Sequence, residues 1–249
     1  MSTLFLIFFI FFVLLFCPEF DKIKATNNKE VTMQYKNIMF DLDGTLTDPA
    51  EGITNSIAYA LRKMNIPVPS FEALCKHIGP PLLESYEVYY GIKGDDGFEA
   101  LRLYREYFAD KGIFENRLYD GIPELLRRLK AEGRKIYMAT SKPEPYAIRI
   151  AEHFGIAQYF DRIAGSTMTE ERNKKGEVID YLAKLEGFDP AKDTLMVGDR
   201  EHDVLGAAEN GAPCIAVLYG YGSKAELENA GAKYLVESVE ELSSLLEAL

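Results

Sequence analysis

The sequence predicts an α/β protein, a doubly wound parallel sheet carrying an inserted all-helical cap. Three observations predict it. A short apolar run, Ile38-Met39-Phe40, ends abruptly in polar residues, as a strand buried on both faces does. From about residue 119 onward, strand-like runs alternate with helical ones, the pattern of a parallel sheet with crossover helices. Between these, residues 52–118 show helical spacing and no strand-like run. The expected organisation is therefore a core of residues 33–51 and 119–249, a helical cap of residues 52–118, and an extension of residues 1–32 ahead of both.

Each element follows from local signals. Ile53, Ile57, Ala60, Leu61 and Met64 recur at helical spacing, and Asn65-Ile66-Pro67 ends that helix. Ser70 is placed to cap a helix running to His77, with Glu72 in its first turn. After the rigid turn Ile78-Gly79-Pro80-Pro81 come helices over 82–90 and 98–111. Gly121-Ile122-Pro123 opens a helix closed by Gly133. Strands are expected over 135–140, 162–165, 194–197, 214–218 and 234–236. Helices are expected from Pro143 or Pro145 to about Phe154, over 174–186 and over 204–210.

A net charge of −11 leaves no basic field for a nucleic-acid backbone, while a local pocket for an anion stays open. Three widely spaced cysteines, Cys17, Cys75 and Cys214, form neither a disulfide framework nor a metal motif, so a reduced, cytoplasmic protein is expected. The run from Leu4 to Cys17 is apolar but short of the ~20 residues that span a bilayer. It lacks preceding basic residues and a small-residue cleavage site. Met33, after a polar Lys/Asn-rich linker, is the expected start. The alternative is a membrane-associated or exported form that keeps residues 1–32.

The chemistry gathers at strand ends, where open α/β sheets bind ligands. Asp41 and Asp43, spaced i and i+2, are delivered together to the end of the first strand. Two adjacent acids repel, and a hard divalent cation such as Mg²⁺ relieves them. An Asx turn with solvated acids would carry the same residues. Thr140-Ser141-Lys142 closes the second core strand, where a hydroxyl and backbone N–H groups suit a phosphoryl oxygen or simply cap a helix. Gly198-Asp199 to Asp203 closes another strand. Asp199 can complete a metal site with Asp41, and Asp203 can support the metal or anchor a cation. Lys174 and Lys175 open a helix against its dipole, which calls for a compensating anion or for solvent. His77, His153 and His202 share no ligand spacing and are expected as packing or surface residues.

Asp41-Leu42-Asp43-Gly44-Thr45-Leu46, taken with these partner motifs, resembles the signature of the haloacid dehalogenase-like (HAD) hydrolase superfamily. The resemblance extends over nearly all of residues 36–240 and points to the phosphoglycolate phosphatase-like branch with a helical cap. It implies a Rossmann-like core and a Mg²⁺-dependent phosphatase working through an aspartyl-phosphate. Asp41 would be the nucleophile and Asp43 the general acid/base. Thr140 and Lys175 would serve the phosphoryl group, Lys175 being preferred to Lys174 for its place in that branch's helix pattern. Mg²⁺ would be held by the Asp41 carboxylate, the Asp43 carbonyl and Asp199, with Asp203 in support. Gly44, Thr45, Ser141 and Lys142 would line the phosphate side, and Gly79 and Pro80 would face the substrate from the cap.

The expected substrate is a small phosphorylated metabolite, and the protein a monomer or homodimer. A 5′-nucleotidase, a pyrophosphatase or a sugar phosphomutase shares the chemistry. A dehalogenase would not need Asp43. A receiver-type signalling module is shorter and lacks the insert, and a binding protein without turnover would not need the full set of acids.

Overall fold

The computed structural model describes residues 34–249; the apolar run and linker of residues 1–32 lie outside them. Six parallel strands form one sheet in the order β5-β4-β1-β6-β7-β8. They are β1 Asn37–Phe40, β4 Lys135–Pro143, β5 Arg162–Ser166, β6 Thr194–Gly198, β7 Cys214–Val217 and β8 Tyr234–Val236. The first strand in sequence is thus central, with Phe40 opposite Met138 on one side and Val197 on the other. The order reverses at β1, and a crevice opens there beyond the carboxyl ends of β4, β1 and β6.

Side-chain alternation sorts the core into two layers. Ile38 and Phe40 of β1 pack with helices α5 (Ile122–Ala131), α6 (Glu144–His153) and α10 (Val239–Ala248). Met39 faces the opposite side, with α7 (Lys175–Glu186), α8 (Glu201–Glu209) and α9 (Lys224–Asn229). Both faces are covered, which is why β1 is an unbroken apolar run.

The insert consists of α1 (Ala50–Lys63), α2 (Phe71–Leu74), α3 (Leu82–Tyr90) and α4 (Asp95–Tyr107), and α4 widens into a π turn over Phe108–Gly112. Ser70 caps α2 through the Ala73 N–H, as its sequence position predicts. Gly52 of α1 meets the π turn so closely that a side-chain carbon there would lie 1.9 Å from the Gly112 carbonyl oxygen. The region expected to be wholly helical ends in a strand. Arg117–Leu118 (β3) pairs antiparallel with Thr47–Asp48 (β2), and Arg117 binds Asp48 across the ladder at 2.6 Å. Two-residue strands are too short to leave a period in sequence. The strand expected to stop at Thr140 runs to Pro143, with its register broken between Ala139 and Pro143. Among the described residues, no helix is long and apolar enough to cross a membrane.

Candidate active site

Asp41 follows the last residue of β1, its N–H donating to the Val197 carbonyl at 2.9 Å, so the sheet itself fixes the first acid. Asp199 and Asp203 reach the same point from the end of β6 and the first turn of α8. Carboxylate oxygens of Asp41, Asp199 and Asp203 lie within 4.8 Å of one another, and all three residues are buried. Lys175, the first residue of α7, enters this cluster. Its Nζ lies 2.8 Å from Asp41 Oδ1 and 2.8 Å from Asp203 Oδ1, and donates to the Ala139 carbonyl at 2.8 Å. Burial alone would lower the lysine's pKa; the Asp203 and Asp41 charges outweigh that and hold it above its ordinary value. Lys174, its neighbour, is exposed. The choice between the two lysines is thereby geometric, since only Lys175 reaches the acids.

Asp203 also accepts from the N–H groups of Asp199 and Arg200, at 3.0 and 3.1 Å, and so locks the loop after β6. Asp199 accepts from Thr45 Oγ1 at 3.2 Å and from the Tyr221 N–H at 2.8 Å. Gly44 leaves room for it: with φ of 88°, a side-chain carbon there would stand 2.2 Å from Asp199 Oδ2. Gly44 and Thr45 therefore sit against Asp199 and do not line the neighbouring pocket.

The cluster suits a small divalent cation. Its donors are hard oxygens. Three buried acids share one ammonium, and burial first, then the charges of Asp203 and Asp41, raise the Asp199 carboxyl's pKa well above the usual range, a strain that a cation relieves. The Asp43 carboxylate turns elsewhere, with Oδ2 2.6 Å from Lys142 Nζ. Its Oδ1 is buried and has no hydrogen-bond partner. Burial raises its pKa more than Lys142 lowers it. Thr140 is buried behind, its hydroxyl accepting from the Lys142 N–H at 3.2 Å.

A pocket of about 70 Å³, several times the ~10–15 Å³ that one water needs, opens from Asp43 toward the insert. Ser141 and Lys142 line it from the sheet, and Gly79 and Pro80 from the insert. Sequence reasoning passed over other lining residues, notably Arg105, Phe108, Tyr146 and Glu170. Arg105 of α4 pairs with Glu170, in the loop after β5, and donates to the Met168 carbonyl at 2.9 Å. Arg200 makes a second tie, binding Glu226 at 2.8 Å and the Ile78 carbonyl of the insert. His77, expected as a packing or surface residue, is buried and also lines the pocket.

Residues 38–217 match the haloacid dehalogenase-like hydrolase family. A protein of Pseudomonas aeruginosa named 5′-nucleotidase is 44% identical over 220 residues, covering 88% of this chain and 99% of its own length. Tyrosine-protein kinase PtkA of Mycobacterium tuberculosis is 40% identical over 85% of this chain and 72% of its own. More distant relatives are named phosphoglycolate phosphatase, one from P. aeruginosa at 28% identity over 82% of this chain and 77% of its own. Among solved structures, a predicted phosphatase from Clostridium acetobutylicum superposes with a TM-score of 0.84 at 46% identity, covering 86% of this chain and 99% of that one. A likeness of this depth, running through the strand that carries Asp41 and the one that carries Asp199, makes the chain a member of the haloacid dehalogenase-like hydrolase family.

Proposed function

We propose that this HAD-family phosphatase hydrolyses a small phosphomonoester in two steps through a phosphoryl group carried on Asp41. The observation that carries the reading is the arrangement of the two acids of β1's end. Asp41 lies in the acid cluster on Lys175, while Asp43 lies apart on Lys142, in the wall of the pocket. Two carboxylates two residues apart thus stand in different surroundings, which is how one site separates a nucleophile from an acid.

Asp41 attacks phosphorus, and Lys175 offsets the repulsion between carboxylate and phosphate. Asp43, whose pKa burial raises, gives its proton to the leaving oxygen and then takes one from the water that attacks the Asp41 phosphoryl group. Thr140, Ser141 and the N–H groups around them hold the phosphoryl oxygens. Asp41 and Asp199, with Asp203 behind them and the Asp43 backbone carbonyl alongside, would hold Mg²⁺. The ion would supply charge neutralisation to the phosphoryl oxygens. Residues 52–118 act as a cap that excludes bulk water over Asp43 and reads the leaving group.

The names of the relatives suggest two leaving groups, glycolate and a nucleoside. The test is phosphate release by the full chain, with and without Mg²⁺, from 2-phosphoglycolate, nucleoside 5′-monophosphates, sugar phosphates and pyrophosphate. Asp41→Asn serves as the control. Mg²⁺-dependent release that disappears in Asp41→Asn supports the reading. A folded protein that releases phosphate from none of them overturns it.

A further inference from the structure

The pocket beyond Asp43 carries two cations and two carboxylates, and both cations are already engaged. Lys142 is on Asp43 at 2.6 Å and stands 4.6 Å from the centre of the Phe108 ring. Arg105 commits one nitrogen to Glu170 and another to the Met168 carbonyl. Glu170 holds its place with a backbone φ of 64°, in the left-handed region that a glutamate seldom adopts. Burial raises the Glu170 pKa against the pull of Arg105. The remaining walls are largely apolar or aromatic, from Leu82, Leu101, Tyr104, Phe108 and Tyr146.

Two polar atoms of residues in this lining are buried and without a partner, Asp43 Oδ1 and His77 Nδ1. His77 is 2% exposed; its Nε2 lies 3.2 Å from the Tyr90 hydroxyl, on whose ring it stacks at 5.5 Å. Its Nδ1 has no hydrogen-bond partner. Burial brings its pKa down to about 4, so the imidazole is neutral at pH 7. Depending on which way the bond to Tyr90 runs, Nδ1 offers a donor or an acceptor. A buried polar atom that lacks a partner costs free energy until a ligand satisfies it.

We propose that the pocket selects an uncharged leaving alcohol with an apolar or aromatic body, that Glu170 enforces this by occupying Arg105, and that His77 Nδ1 hydrogen-bonds the bound alcohol. The inference rests on the phosphatase reading above and narrows it. A carboxylate-bearing leaving group would have to displace Glu170 from Arg105 or stay unpaired among apolar side chains, and either is unfavourable.

The test compares kcat/KM for three esters with the full chain and Mg²⁺: a nucleoside 5′-monophosphate, phenyl phosphate and 2-phosphoglycolate. Both uncharged leaving groups are expected to exceed 2-phosphoglycolate by at least about tenfold, the order of one unmade charged contact. Glu170→Gln frees Arg105 and is expected to raise the value for 2-phosphoglycolate relative to phenyl phosphate. His77→Phe is expected to lower the nucleotide value about 3–10-fold, mainly through KM, with phenyl phosphate, which offers no further hydrogen bond, unchanged. His77→Gln should restore part of the loss.

A preference for 2-phosphoglycolate in the unaltered protein overturns the inference while the phosphatase reading stands. A Glu170→Gln protein with unchanged selectivity removes the role of Glu170. A His77→Phe protein that loses nucleotide and phenyl phosphate hydrolysis equally assigns His77 to packing. A folded protein that releases phosphate from none of the three esters and from no other phosphomonoester overturns the phosphatase reading itself. The comparison on the unaltered protein needs no variant to fold.

Discussion

Lys142 Nζ stands 2.6 Å from Asp43 Oδ2 and 4.6 Å from the centre of the Phe108 ring. The lysine belongs to the end of β4 and the ring to the π turn of the insert. The counter-ion of the proposed acid is thus held in place by the segment that covers the pocket. Lys142→Met keeps the stem and removes the charge. It is expected to lower kcat by about 10²-fold, the lower range for a misplaced acid/base, with the fold intact by circular dichroism. Steady-state phosphate release checks it, and an unchanged kcat would remove Lys142 from the reaction.

Lys175→Met leaves Asp41 and Asp203 buried without the ammonium that both contact at 2.8 Å. Breaking a buried pair by deleting one partner costs about 3–5 kcal/mol. The midpoint of urea unfolding in a metal-free buffer should fall accordingly. A midpoint equal to that of the unaltered protein would mean that water already screens the cluster.

Asp199→Asn removes one of three clustered buried acids and keeps oxygen and nitrogen where Thr45 and the Tyr221 N–H can meet them. In EDTA the variant is expected to melt higher than the unaltered protein, because like charges are relieved. With Mg²⁺ the order should reverse. A ligand at a hundred times its Kd adds about 2.7 kcal/mol to the protein that binds it. Calorimetric melts with and without Mg²⁺ measure both. An equal Mg²⁺ shift in the two proteins would exclude Asp199 from the metal site.

Asp161 bears on stability and lies away from the acid cluster. It takes Lys130 at 2.7 Å, Lys135 at 2.8 Å and the Ile136 N–H at 2.9 Å. Although burial opposes it, these partners bring its carboxyl down to about 2 from 3.8. A depressed folded pKa contributes stability that is present above about pH 4 and is lost as pH falls toward 2. Asp161→Asn should therefore be less stable than the unaltered protein at pH 5–7 and converge with it by about pH 2. Denaturant midpoints across that range would show it, and a constant gap down to pH 2 would refute the linkage.

What could be read from sequence was what is local. Asp41, Asp43 and Gly44 lie together at one strand end, and the strand's apolar run announces its burial on both faces. The order of strands and helices beyond residue 119 followed from period and punctuation. What could not be read depends on chain closure. The pairing of Arg105 with Glu170, and of Lys142 with Asp43, leaves no sign in sequence until the insert folds back against the core. His77 was expected as a packing or surface residue; it is buried and stacked on Tyr90, and its Nδ1 is left without a partner. The ladder between β2 and β3 and the π turn at Phe108–Gly112 leave no period that two to five residues could display.

That ladder has a kinetic consequence. β1 and β4 pair with Asn37 opposite Lys135, so a chain lacking the insert's structure must close a loop of about a hundred residues to join them. Once Asp48 lies opposite Arg117, the excursion between them is closed on itself and the effective loop shrinks to about thirty residues. The logarithmic closure law makes that shortening worth about 1 kcal/mol of chain entropy. Early formation of the insert would thus speed the central pairing of the sheet, and the piece of chain that covers the pocket would also serve as a folding scaffold for the strand that leads into Asp41.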